Sequence, residues 1–190
     1  MTDSKALIEL IKAGDTSAFQ RLVDDYKRLV YNIVFKMTAN DADREDICQD
    51  VFVKVYQHLA GFQHESKLST WIARIAHNTC INSLKKKKVP LFDDFAAEGE
   101  SIDTLFAHEE TPADFASDED LSQRLETEMA KLPPRFRTIL ALYHIEEMSY
   151  AEIGEIMNMP DGTVKSYLFR ARKLLKERLV DKYEQEELWQ

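Results

Sequence analysis

Residues 161–178 constrain this chain more than any other stretch, because as a helix they divide into two unlike faces. At about 100° per residue, Val164, Leu168, Ala171, Leu175 and Leu179 share one side. Lys165, Ser166, Phe169, Arg170 and Lys173 share another, flanked by Lys176. The apolar side demands a core to dock on. The basic side, with its hydroxyl and aromatic groups, suits phosphates and base edges. From Gly162 to Arg178 there are six Lys or Arg and one acid. A solvated surface helix would also look like this, so the residues before it decide the reading.

Ser149 and Glu152 have the spacing of a capping box, which predicts a helix start. Ile153, Ile156 and Met157 give that short helix an apolar face. Asn158 to Pro160 predict a break, because proline disfavours helix in the residue before it. Asp161 is then placed to cap the next helix. A short helix, a tight break and a longer basic helix make a helix-turn-helix, whose second helix enters the DNA major groove. An ordinary αα-hairpin is the plainer alternative.

The rest of the chain predicts an all-α fold. Gly and Pro number only five each, and no strand-type alternation stands out. Leu7, Ile8, Leu10 and Ile11 form a first stripe. Gly14-Asp15 breaks it, with Asp15 or Thr16 as the next cap. Phe19, Leu22, Val23, Tyr26, Val30, Ile33, Val34 and Met37 continue at helical spacing. A helix over 41–59 starts with Asp41, Asp43, Glu45 and Asp46, where the helix dipole favours negative charge. Ile47, Val51 and Val55 are its core side, widened by Phe52, Tyr56 and Leu59; Gln49, Asp50, Val53, Lys54 and Gln57 face out. Composition alone does not say whether that outer face binds a partner.

After Gly61 comes a polar loop, Phe62 to Leu68, and Ser69 is the predicted cap of a helix reaching about Lys88. Trp71, Arg74, Asn78, Asn82 and Lys85 fall within about 80° of one another on the wheel. Trp and Arg can stack on bases, Asn can bond their edges, and Lys can contact phosphate. Lys85 to Lys88 add four consecutive charges. From this helix alone two readings stand side by side: a nucleic-acid face, or a core tryptophan and a solvated lysine end. Further on, Leu121, Leu125 and Met129 mark a helix over 119–132. Pro133-Pro134 interrupts, and Phe136, Ile139, Leu140 and Tyr143 build a helix to buttress the helix-turn-helix.

A net charge of −9 speaks against DNA binding until its distribution is considered. Residues 1–88 hold 14 basic and 11 acidic side chains. Residues 89–120 hold 11 acids and no Lys or Arg, so most of the acidity sits in one linker-like stretch. That stretch lacks helical periodicity and reads as a flexible linker with scattered apolar spots. The last residues, 183–190, are expected to fray. Cys48 and Cys80 show no C-x-x-C spacing and read as buried thiols of a reducing cytosol. No signal sequence or membrane-length apolar run is seen. The five histidines, at 58, 64, 77, 108 and 144, lack metal-site spacing. No phosphate loop or nucleophile–base set points to an enzyme, and no cofactor or metal is expected.

Four segments in order resemble the extracytoplasmic-function sigma factors of bacterial RNA polymerase. Gly14-Asp15 with Ala18, Phe19, Leu22 and Tyr26 resembles their opening segment. Asp43 with Glu45, Asp46, Ile47, Gln49, Asp50, Val51, Phe52, Lys54, Val55 and Tyr56 resembles the polymerase-clamp helix. Ser69, Thr70, Trp71, Ile72, Arg74, Ile75, Ala76 and Asn78 resemble the segment that opens the −10 element. Leu132-Pro133, Arg137 and the helix-turn-helix resemble the −35 reader. The resemblance implies a division into 1–89, a linker at 90–118, and 119–190. It implies polymerase binding through Asp46, Gln49, Asp50, Val53 and Lys54. It implies a −10 site of Phe62, His64, Ser66, Lys67 and Leu68 with Asn78, capturing a flipped base whose unstacking costs a few kcal/mol. Trp71 and Arg74 would hold the melted strand or support that pocket. The −35 site would be Gly162, Thr163, Lys165, Ser166, Phe169, Arg170 and Lys173, with helix-start N–H groups near Gly162 open to phosphate. The linker would run toward the RNA exit path. Implied partners are core RNA polymerase, promoter DNA and an anti-sigma factor, in the cytoplasm. A stand-alone helix-turn-helix regulator accounts for 132–180 equally well but leaves 41–88 unexplained.

Overall fold

The structure, a computed structural model, describes residues 4–38, 40–87 and 119–182, and every regular element among them is helical. The expected linker at 90–118, Lys88 and the tail at 183–190 lie outside the described residues. Helix α1 spans Ser4–Lys12, α2 Thr16–Met37, α3 Asp41–His58 and α4 Leu68–Lys86, with a single 3-10 turn at Leu59–Gly61. Helix α5 spans Glu119–Ala130, α6 Pro134–His144, α7 Tyr150–Met157 and α8 Asp161–Lys182.

The helix starts follow local chemistry. Asp15 accepts from the backbone N–H groups of Ser17 and Ala18 and so caps α2. Asn40 caps α3 through the Ala42 N–H. Ser149 and Glu152 form the reciprocal capping box of α7. Asn158, in the left-handed region at φ 54°, ends α7. Two predicted caps fail. Helix α4 begins one residue before Ser69, with Lys67 in the cap position and no side-chain bond there. Asp161 is itself the first residue of α8.

The first four helices and the 3-10 turn bury Ile8, Leu22, Ile33, Met37, Val51, Val55, Leu59 and Ile72. Each such side chain contributes about 1.5–3 kcal/mol on leaving water. Around α7 and α8 the core is Ile139, Leu142, Ile153, Ile156, Val164, Leu168 and Ala171. The predicted stripes hold with particular exceptions where side chains are described; that of Leu121 lies outside them. Leu10 and Tyr56 lie largely outside, although the Tyr56 ring meets Phe19 edge-on at 4.9 Å. Cys80 is buried, but Cys48 is only half-buried. Burial pushes the Cys80 thiol up to about 12, which leaves it a poor nucleophile.

The two helical groups touch along a seam, α4 against α7 and α2 against α6. Asn32 on α2 donates to Glu146, just past α6, at 2.6 Å. His77 on α4 is buried, and burial lowers its imidazole to about 4. The positive charge of Arg135, on α6, acts in the same direction.

Candidate nucleic-acid interface

Helix α8 is aimed by the break before it. The Met159 N–H donates to the Gly154 carbonyl at 3.0 Å, folding the chain back under α7. A Cβ on Gly154 would lie 2.7 Å from the Met159 carbonyl oxygen and 3.3 Å from Asp161 Oδ1, so the close approach needs glycine. The Thr163 and Val164 N–H groups then donate to the Pro160 carbonyl and start α8. Val164, Leu168 and Ala171 go inward, as their spacing predicts.

On the other side, Gly162, Lys165 and Lys173 are exposed, and Thr163, Ser166, Phe169 and Arg170 are half-buried. The Ser166 hydroxyl donates to the Thr163 carbonyl at 2.9 Å, so its hydrogen is engaged within the helix. The Lys165 ammonium sits 5.5 Å from the Tyr150 ring centre, and Tyr150 stacks on Tyr143 at 5.3 Å. Arg172 was absent from the predicted set. Its guanidinium lies 5.1 Å from the Tyr143 ring, and its Nε donates to His144 Nε2 at 3.2 Å. Burial, then the Arg172 charge, lowers the His144 imidazole and favours the neutral acceptor form. The signal for Arg172 was its place in the basic run; its aromatic bracket, Tyr143 and His144, comes from helix α6 and has no sequence spacing.

The residues expected at the −10 strand separate into three groups. Phe62 and Leu68 are each 6% exposed and belong to the core, which corrects their placement as strand-facing groups. A ring with both faces covered cannot stack on a base. Phe62 instead packs 4.7 Å from the His64 ring and 5.3 Å from Trp71. His64 and Asn78 are exposed, and Ser66 and Trp71 are half-buried. Lys67 and Arg74 already have partners on α7. Lys67 Nζ lies 2.9 Å from Glu152 Oε1, and the Arg74 guanidinium donates to Glu155 Oε1 at 3.3 Å. The Lys67 ammonium, then the Ser149 backbone N–H, hold the Glu152 carboxyl at about 2.

The outer face of α3 presents Asp46, Gln49, Asp50 and Val53, all exposed. Lys54 differs: its Nζ donates to Thr79 Oγ1 at 3.1 Å and is half-buried between α3 and α4. A shallow cleft between these helices is lined by Asp43, Asp46, Asp50, Lys86 and Lys87. Lys87 closes on Asp43 at 2.5 Å, so the lysine run is not wholly solvated.

Comparison with known proteins matches both helical groups. Residues 22–89 match the family described as Sigma-70 region 2, and residues 122–175 match Sigma-70, region 4. The chain is 36% identical to the ECF RNA polymerase sigma factor SigW of Bacillus subtilis, over 93% of this chain and 97% of that one. It is 34% identical to the ECF RNA polymerase sigma-E factor of Escherichia coli K12, over 92% and 93%. Among solved structures, the sigma factor RpoE of Bartonella quintana, in complex with the anti-sigma factor NepR, aligns with a TM-score of 0.61 at 22% identity. That alignment covers 88% of this chain and 98% of that one. CnrH, in complex with the cytosolic domain of CnrY, aligns equally well at 19% identity, over 94% and 97%. With two sigma-70 regions in order and similarity along more than nine-tenths of its length, the chain belongs to the ECF family of RNA polymerase sigma factors.

Proposed function

We propose that this chain is a transcription initiation factor that binds core RNA polymerase, directs it to particular promoters and helps melt the −10 element. Residues 1–89 form the polymerase-binding and −10 module, and residues 119–190 the −35 module. The observation that carries the reading is the pair of outward faces. Asp46, Gln49, Asp50 and Val53 stand together on α3, and Lys165, Arg170 and Lys173 stand opposite the docked side of α8. Nucleic-acid binding alone would leave the α3 face without a use.

In this reading α3 docks on the polymerase. His64, Ser66, Lys67, Trp71, Arg74 and Asn78 take the melted −10 strand, with Phe62 and Leu68 as the packed base of that site. Thr163, Lys165, Ser166, Phe169, Arg170 and Lys173 read the −35 duplex, with Gly162 at the phosphate. The factor itself catalyses nothing and works in the cytoplasm. An anti-sigma factor is its regulatory partner, supported by the related fold that was solved bound to one. No described helix is long and apolar enough to cross a membrane.

The test is to mix the purified chain with sigma-free core polymerase and host genomic DNA and to map transcript 5′ ends. New starts sharing two spaced upstream elements are the expected result. No new starts, together with tight DNA binding in the absence of polymerase, would favour the stand-alone regulator.

A further inference from the structure

One hydrogen bond joins the helix of the polymerase face to the helix of the −10 face. The Lys54 ammonium on α3 donates to Thr79 Oγ1 on α4 at 3.1 Å. The Thr79 hydroxyl directs its one hydrogen to the Ile75 carbonyl, four residues back, at 2.8 Å. Its oxygen is left as an acceptor, and lysine, which only donates, is its complement. Thr79 is buried and Lys54 half-buried, whereas Asp46 and Asp50 on the same cleft are exposed.

The direction Lys54 takes is informative. Asp50 lies four residues before it on α3, the spacing of a helical ion pair. Among the described residues no ion pair joins the two. Lys54 turns inward to a neutral hydroxyl, and the Asp50 carboxylate stays outward beside Asp46. On α4, Arg74 and Asn78 each precede a member of this bond chain, Ile75 and Thr79. The bonded turn is therefore the turn that presents both to a −10 strand. Val51 and Val55 of α3 share one core with Ile72 and Ala76 of α4. Apolar burial is non-directional, whereas a hydrogen bond sets a distance and a direction. Lys87 on Asp43 ties the end of α4 to the start of α3; Lys54 on Thr79 ties the helices where the strand face begins.

We propose that Lys54 is a positioning residue and not a polymerase contact: through Thr79 it holds the Arg74–Asn78 turn of α4 in register with the outer face of α3. The proposal deepens the sigma-factor reading and rests on it. Asp46, Gln49, Asp50 and Val53 then bind polymerase, and Lys54 sets the geometry in which the −10 strand is received.

Three variants test it. Lys54→Met keeps the reach of the side chain without the donor, Thr79→Val keeps the shape without the hydroxyl, and Thr79→Ser keeps the hydroxyl. The mapping assay above, with the wild-type chain, supplies a promoter. Each chain is titrated against core polymerase. The holoenzyme, at saturating core, is then titrated with the labelled non-template −10 strand and, separately, with the −35 duplex. Lys54→Met and Thr79→Val should each lower strand affinity about tenfold or more, as for a lost bond to a charged group, with core and −35 affinities unchanged. Thr79→Ser should restore the strand, and the double variant should fall no further than the worse single. A fall in core affinity that matches the fall in strand affinity for Lys54→Met would return Lys54 to the polymerase contacts and overturn the proposal. Equal losses on strand and duplex would show a general loss of fold and overturn it too. So would Thr79→Ser as weak as Thr79→Val, or strand affinity unchanged in either variant, including undetectable binding by every chain. Absence of mapped starts with wild-type chain and core polymerase would instead overturn the sigma-factor reading, and the positioning role with it.

Discussion

Helices α4 and α8 each set cations beside an apolar face, but they hold them in different ways. On α8, Lys165 lies over the Tyr150 ring, and Arg172 lies over Tyr143 and against a neutral His144. These partners orient the cations without cancelling their charge. At the start of α4, Lys67 and Arg74 face carboxylates, which cancel it. A count of lysines and arginines gives a helix's capacity for phosphate. What packs beside it decides how much of that capacity is available.

The largest effect expected on this contrast comes from undocking α8. Leu168→Ala removes a leucine that is 2% exposed and should cost about 2–5 kcal/mol, read from the urea midpoint, with loss of −35 duplex binding. An unchanged midpoint would mean that α8 does not depend on its core side. The second effect belongs to α4 and the seam. The His77 imidazole is depressed from 6.5 to about 4 by burial, so the unfolded chain takes up a proton that the folded chain refuses. Stability is therefore complete above pH 6.5 and drains as pH falls toward 4, by about 3 kcal/mol in all. Denaturation at stepped pH should show this slope, and His77→Leu should flatten it.

Lys165→Ala with Arg170→Ala should weaken the −35 duplex by about tenfold to more than a hundredfold and lower the salt dependence, while core polymerase binding persists. Equal affinity in the variant would move duplex recognition off α8. The smallest expected change is that of Ser149→Ala, about 1 kcal/mol from the lost cap. Because Glu152 Oε1 holds Lys67 independently of the cap, faster amide exchange in α7 should appear with the seam still closed. Opening of both together would show that cap and seam act as one unit.

The helices and the core were legible because period and burial coincide: Val164, Leu168 and Ala171 could be placed from spacing alone. The capping box at Ser149 was legible for a similar reason, since its two partners lie within one helical turn. The loop residues were harder. Phe62 and Leu68 sit in a polar stretch with no period, so nothing local told that their rings and methyl groups face the core. The links from Lys67 to Glu152 and from Arg74 to Glu155 span 85 and 81 residues, and no spacing rule reaches that far. Lys54 reads as an outward residue on its own helix; only the arrival of Thr79 from α4 turns it aside.

Gly154 carries its information in the hydrogen it has instead of a methyl group. In a library randomised across both helices of the reader, substitutions along the outer face of α8 should sort by promoter, some lost at one sequence and kept at another. Replacements at 154 should vanish together, whatever the promoter. On the proposed function the address of the protein is written on α8, and its legibility is kept by a methyl group that Gly154 lacks.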